Sequence, residues 1–397
     1  MTRTVAVGTT FMLENNAAAI LTHLRAARRA PVSAIAKDTG LSRQAVSRSL
    51  AVLESMDLVE ISAPDRTVAT AGRPPQMVRF RAEAGHVLSV DVSPGRVRVV
   101  VADLAGDFVV DSTTRVPRSG AFTDALAEAI GQAIHRAGVR PDEIWHASAA
   151  AAGITDPATG HVRLSPSMPE IVGDAVPSGI RAAGITAPLY VDNDVKLATE
   201  GERWRGTPHV EDSMVFIDWG ERVGAGIVLR GELYRGASND AGDLGYLDLV
   251  APETGDGDLG PFERWVGTRA LLSIAGRAAA RTVTLPELAA AARIGEDWAL
   301  AAIGEVAARF AKGVAAIRAL LDPEVIVLGG DIAELGQVLL DAVVSALATE
   351  ELNQPRLELA TLGSDAIVHG AIRHSLTWVE RERFDVHAIR RRGDQAQ

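Results

Sequence analysis

Residues 31–61 read PVSAIAKDTGLSRQAVSRSLAVLESMDLVEI. The pattern predicts two helices joined by a tight turn and followed by a strand. Ser33 is the expected N-cap of the first helix, which runs through Ala34, Ile35, Ala36, Lys37 and Asp38. Gly40 follows, where a left-handed backbone closes a helix and Gly adopts it without steric cost. Ser42 then caps a second helix, whose apolar positions Ala45, Val46, Leu50 and Leu53 recur at helical spacing. Arg43, Gln44, Ser47 and Arg48 fall mainly off that apolar face, near the helix N-terminus. A helix-turn-helix enters the DNA major groove by that end of its second helix. Many αα-hairpins have Gly at the turn and polar outer faces without touching DNA, so the flanks decide. Residues 58–61 form a strand and residues 66–70 can return as a second, making a small β-wing. The unit reads as a winged helix-turn-helix, with Ser42, Arg43, Gln44, Ser47 and Arg48 as its DNA-binding residues.

The charge distribution agrees with that reading. The chain of 397 residues has a net charge of −11, yet residues 1–85 carry eleven Arg or Lys against seven Asp or Glu. That end is +4 and the remainder −15, so attraction for phosphate is confined to one end. Preceding helix 16–29 places Ile20, Leu21 and Leu24 on one face. After the wing, Gly72-Arg73-Pro74-Pro75 is expected to be extended, because Pro fixes φ and pushes its predecessor out of the helical region. One reading is a stiff linker; the other adds that Arg73 in such an extended arm can enter a minor groove.

The length allows two or three domains, and 47% hydrophobic residues allow a large core. No run of 18 or more apolar residues is free of charge, which argues against a transmembrane helix. The segment MTRTVAVGTTFMLENN has no charged region followed by an apolar core, so no secretory signal is expected. There is no cysteine, which removes disulfides and Cys-ligated metals and fits a cytoplasmic location.

From about residue 87 strands and helices alternate. Strands are expected at 87–92, 96–102 and 108–113, a helix at 121–137, and strands at 143–150 and 188–191. The three-strand pattern repeats at 214–218, 224–229 and 232–234, followed by a helix at 301–321 and a strand at 325–328. An internal duplication of this kind gives an α/β body of two lobes with a cleft between them, where ligands prefer to bind.

Taken together, the head, the Gly-Arg-Pro linker and the duplicated body resemble ROK-family transcriptional regulators, nearly end to end. The anchors are Val191-Asp192-Asn193-Asp194, Gly201-Glu202, Val223-Gly224-Ala225-Gly226-Ile227, Gly231 with Gly236, Ala241-Gly242-Asp243-Leu244-Gly245, Ile326-Val327-Leu328-Gly329-Gly330 and Gly370-Ala371. The resemblance implies a winged helix-turn-helix fused to a two-lobe actin/hexokinase-like body related to sugar kinases. The domains would be residues 1–82 (head and linker), 83–195 (lobe 1, rejoined by a helix near 366–390) and 196–365 (lobe 2).

Family kinases hold ATP phosphates on the turns Asp-x-Gly-Gly-Thr and Gly-Thr-Gly-x-Gly-Ala-Gly. Here the first reads Asp91-Val92-Ser93-Pro94-Gly95, and Pro94 has no N–H to offer. The second reads Gly220-Glu221-Arg222-Val223-Gly224-Ala225-Gly226, and Glu221 would set a carboxylate against phosphate. No ATP binding and no enzyme activity are expected, and Gly329-Gly330 is read as strand-to-helix packing. The sugar side is better kept. By the resemblance, Asn193, Asp194 (the kinase base position) and Glu263 contact sugar, with Asp243, Tyr246 and Ser167 replacing the family's Glu, His and Asn. An Asn-Asp pair after a strand is by itself more often a turn or helix cap. The family's zinc cluster, Cys-x-Cys-x(4)-Cys, is replaced by residues 255–262, so no zinc is expected. Asp256 and Asp258 are read as a solvated loop rather than a calcium site.

These readings converge on a repressor of carbohydrate uptake or metabolism genes, controlled by a sugar-like effector. Its partners would be a palindromic double-stranded operator and a second copy, as homodimer or homotetramer. The rival readings are a sugar kinase with a DNA-binding head, resting on Asp194, and a ligand-independent regulator whose body only oligomerises.

Overall fold

A computed structural model describes residues 9–62, 76–117, 122–206, 212–249, 258–347 and 354–384. The head contains α1 (Thr9–Ala27), β1 (Arg29–Pro31), α2 (Val32–Thr39), α3 (Arg43–Ser55), β2 (Val59–Ser62) and β3 (Met77–Phe80). Gly40 closes α2 at φ +69°, and the side chain of Ser42 caps α3 by accepting from the Ala45 N–H at 3.2 Å. Ile20, Leu21, Leu24, Ile35, Val46, Leu50 and Leu53 are buried together, as the helical spacing predicts.

Two local expectations need correction. Ser33 does not cap α2. The helix starts at Val32 after Pro31, with no side-chain cap, and the Val32 N–H is taken by the Gln76 carbonyl at 3.0 Å. α1 begins earlier than residue 16, and Arg28, at φ +62°, turns the chain into β1. β2 pairs antiparallel with β3, which also pairs with β1 in a three-stranded sheet of order β1-β3-β2. The expected return strand at 66–70 and Arg73 lie outside the described residues.

The body repeats one sheet plan. Lobe 1 contains β4 (His86–Ser93), β5 (Arg96–Asp103), β6 (Phe108–Arg115), α4 (Phe122–Ala137), β7 (Ile144–Ala151), the hairpin β8 (Ile154–Asp156) and β9 (His161–Leu164), α5 (Ala175–Ala182), β10 (Leu189–Asn193) and α6 (Asp194–Arg205). Its sheet order is β10-β7-β4-β5-β6, antiparallel across β4, β5 and β6 and parallel across β4, β7 and β10. Lobe 2 contains β11 (Ser213–Trp219), β12 (Val223–Leu229), β13 (Glu232–Tyr234), α7 (Pro261–Val266), α8 (Thr268–Ala279), α9 (Leu285–Arg293), α10 (Asp297–Leu321), β14 (Val325–Gly329), α11 (Gln337–Leu347) and β15 (Arg356–Leu359). Its order, β13-β12-β11-β14-β15, is the same three-strand meander followed by two parallel strands. Each sheet has its own apolar core, in lobe 2 around Trp219 stacked on Phe310 at 3.6 Å.

α12 (Ala366–Val379) returns to pack on α6, β4 and β7. Apolar residues of the head (Leu24, Val78, Phe80), of lobe 1 (Val87, Val100, Leu104) and of α12 (Ile372, Leu376, Val379) form one continuous cluster. No helix among the described residues is long and apolar enough to cross a membrane.

Candidate functional site

On α3 the buried residues Val46, Ser49, Leu50 and Leu53 face the head's core. Ser42, Arg43, Gln44, Ser47 and Arg48 are all exposed on the other side, over the first turn and a half. Among the described residues, Arg43, Gln44, Ser47 and Arg48 make no side-chain hydrogen bond or ion pair. Helix N-terminal backbone groups and two guanidinium groups are what a duplex backbone and base edges require.

The second site is a cavity of about 150 Å³ between the lobes. Asn193, Asp194, Ser167, Asp243, Tyr246 and Glu263 all line it, although they lie up to 96 residues apart in the chain. Asn193 ends β10 and caps α6, its Oδ1 accepting from the Lys196 N–H at 3.1 Å. Its Nδ2 donates to the Gly153 carbonyl at 3.0 Å and to Asp194 Oδ1 at 3.0 Å. The capping role of this pair is therefore real and coexists with its place on the cavity wall. Burial, with the Asp218 and Asp91 carboxylates nearby, pushes the Asp194 carboxyl up to about 7. Burial and Asp331 push Asp218 up to about 6. Burial, then Glu263, raises Asp243 as well.

Glu263 is buried with both oxygens engaged. Oε1 accepts from the Val223 N–H at 3.2 Å and Oε2 from the Gly260 N–H at 2.7 Å, which ties the start of α7 to β12. Tyr246 is 54% exposed and stands at the wall with its ring available.

Several lining and supporting residues escape a sequence reading. Lys196 is 4% exposed and donates from Nζ to the Asn239 carbonyl at 2.9 Å, with burial lowering its pKa. Asp192, fully buried, accepts from Tyr190 Oη at 2.6 Å, the Asn193 N–H at 2.8 Å, Asn239 Nδ2 at 3.1 Å and Thr155 Oγ1 at 3.2 Å, and pairs with Arg235. Burial opposes its charge, but Arg235 and these donors hold the carboxyl below its ordinary value. Arg235 and Asn239 follow β13, so this buried cluster fastens a lobe 2 loop onto lobe 1. Arg163 of β9 adds a bridge to Asp240 at 2.8 Å on the same loop. The available signal was an acid inside a buried strand, Asp192 in Val191-Asp192-Asn193-Asp194. Its partner, 43 residues away, has no local signature.

Both altered phosphate turns are filled by internal bonds. Ser93, Pro94 and Gly95 (φ +75°) make the tight β4–β5 turn, and Ser93 Oγ donates to the buried Asp91 at 2.8 Å. Glu221 Oε2 accepts from the Arg269 N–H at 2.9 Å, and Oε1 pairs with the Arg269 guanidinium at 2.6 Å. Its carboxylate thus occupies the N-terminal turn of α8, a position that would otherwise suit an anion. Arg222 is bonded to Asp258. Gly329 and Gly330 are explained by packing. A Cβ on Gly329 would strike the Phe216 ring, and Gly330, at φ +83°, lies against Asp218 and the Trp219 backbone. The donor set does not fit the family's zinc: the chain has no cysteine, and Tyr246 has no nitrogen to offer.

Residues 87–376 match the ROK family and residues 15–61 match the IclR helix-turn-helix domain. A xylose repressor from Caldicellulosiruptor bescii is 22% identical over 325 residues, covering 76% of this chain and 80% of that protein. The bifunctional enzyme NanE/NanK of Brucella suis is 36% identical over 190 residues, 47% of this chain and 35% of the enzyme. The crystal structure of a ROK family transcriptional regulator, a homologue of the E. coli MLC protein, superposes with a TM-score of 0.73 at 18% identity, covering 95% of this chain and all of that one. The chain belongs to the ROK family, with the make-up of its transcriptional regulators: a DNA-binding helix-turn-helix head on a sugar-kinase-like body.

Proposed function

We propose that this ROK-family chain represses carbohydrate uptake or metabolism genes, and that a sugar or sugar derivative in the interlobe cavity sets its affinity for the operator. The single observation that carries the reading is the convergence of Asn193, Asp194, Ser167, Asp243, Tyr246 and Glu263 on one cavity, in a chain whose recognition helix turns its cationic face outward. Carboxylates and amides suit a polyol because each accepts or donates several hydroxyl hydrogen bonds. Two copies would present two recognition helices to the half-sites of a palindrome. The sugar acts by preferring one lobe arrangement, since a ligand shifts an equilibrium only by its differential affinity.

Selection of sites from a random duplex pool, followed by anisotropy titration at several salt concentrations, tests the DNA half. Preferred inverted repeats are expected, and uniform affinity for all duplexes would overturn it. A thermal-shift panel of pentoses, hexoses, amino sugars and their phosphates tests the other half, because a ligand of the folded state raises the melting temperature.

A second reading, phosphotransfer to a sugar, draws on Asp194, whose carboxyl near 7 suits a general base. It has to overcome Glu221 in the phosphate turn. Sugar-dependent ATP hydrolysis that disappears in Asp194→Asn would establish it.

A further inference from the structure

We infer that α12 is the element that joins the state of the cavity to the position of the DNA-binding head. The inference rests on the regulatory reading above and supplies its physical link.

The near side of α12 is gripped by two elements that build the cavity. The first is α6, which begins at Asp194 and is capped by Asn193. α6 and α12 touch backbone to backbone: a Cβ on Gly201 would strike the Ala366 carbonyl, and one on Gly370 would strike the Leu197 carbonyl. Close packing of this kind leaves no side-chain cushion, so a shift in one helix must be passed to the other. Glu202, fully buried on α6, also holds the chain leading into α12, accepting from the Leu362 N–H at 2.8 Å and the Thr361 N–H at 3.1 Å. The second element is β10. Tyr190, bonded to Asp192 and Arg235, stacks on His374 of α12 at 3.6 Å.

The far end of α12 is held by the head. Glu380 accepts from Arg25 of α1 at 2.7 Å and from Arg373 at 3.1 Å. Phe384 is 6% exposed and sits between head and body, edge-on to Phe80 of β3 at 6.5 Å and to Trp145 of lobe 1 at 6.2 Å, with the Arg25 guanidinium 5.4 Å from its ring. Glu380 and Phe384 are therefore positioning residues for the head. The anchors Gly201-Glu202 and Gly370-Ala371 acquire a role in this scheme that sugar contact does not give them.

The test is amide hydrogen exchange by mass spectrometry on the full chain, with no DNA or sugar present. Asn193→Ala removes the cap at the cavity end of α6. Thr284→Ala removes a comparable cap from α9, remote from this route. Asn193→Ala is expected to speed exchange in α1 and β3 by about fivefold, the size of a lost cap, while Thr284→Ala leaves the head unchanged. In a Phe384→Ala background, Asn193→Ala is expected to add nothing in the head. Glu380→Gln, which keeps shape and removes the charge, serves the same purpose if Phe384→Ala does not fold. Head exchange at the wild-type rate in Asn193→Ala, or equal loosening by Thr284→Ala, would overturn the inference. Failure to find an operator would instead undo the regulatory reading and leave this exchange result intact.

Discussion

The recognition face of α3 and the wall of the interlobe cavity are both polar, but their polar groups are used differently. On α3, Arg43, Gln44, Ser47 and Arg48 are exposed and make no side-chain bonds among the described residues. In the cavity, Asn193 caps a helix, Glu263 ties two backbone amides and Lys196 holds a carbonyl. The head keeps its bonding capacity for a partner outside the chain. The cavity has invested much of its own in holding the lobes. On the proposed reading, a ligand there acts by adding to bonds that already set lobe geometry.

The largest expected effect tests the head's side of this contrast. Arg43→Ala/Arg48→Ala should weaken operator binding by roughly thirtyfold or more, at about 1–3 kcal/mol per direct contact. The melting temperature should hold, because exposed substitutions cost within about 0.5 kcal/mol. An unchanged DNA affinity measured by anisotropy would break the contrast. Asp192→Ala should do the reverse. It takes the shared acceptor from the half-buried Arg235 and from the buried Asn239 and Thr155, and should cost on the order of 3 kcal/mol in urea unfolding. A loss below about 1 kcal/mol would mean that the cluster does not hold the lobes.

Smaller effects sharpen the picture. Ser42→Ala removes the cap of α3 and should cost about 1 kcal/mol, lowering DNA affinity and stability together, in contrast to the arginines. The cavity acids add a pH signature. Asp194 rises from 3.8 in the unfolded chain to about 7 in the fold, so its contribution is fully present below about pH 4 and is lost as pH rises through 7. Thermal unfolding should therefore show stability falling across that window, with a shallower fall in Asp194→Asn. A parallel pH dependence in both proteins would contradict the placement of that charge.

Much of this was legible in the sequence because it depends on local periodicity. The apolar face of α3, the Gly40 turn and the twice-repeated meander follow from spacing within a few residues. The wing partner was not legible. β3 lies beyond the expected return strand and is shared with β1, a three-residue strand containing Pro31 that carries little strand signal. Pairing with β3 also lets the Gln76 carbonyl take the first amide of α2, which displaces Ser33 from the cap. In the cavity, the resemblance named lining residues but not the Asp192–Arg235–Asn239 cluster, because lobe-to-lobe bonds leave no trace in spacing. The change at Glu221 was visible, whereas its bond to α8 was not.

The most direct measurement is an anisotropy titration of the full chain on a selected operator at fixed salt, with and without each sugar of the panel. The account predicts binding at least about a thousandfold tighter than to random-sequence duplex, and a shift of about tenfold by at least one sugar. That shift should disappear in Asp194→Asn. Equal affinity for operator and random duplex, or an operator affinity that no sugar moves, would contradict it.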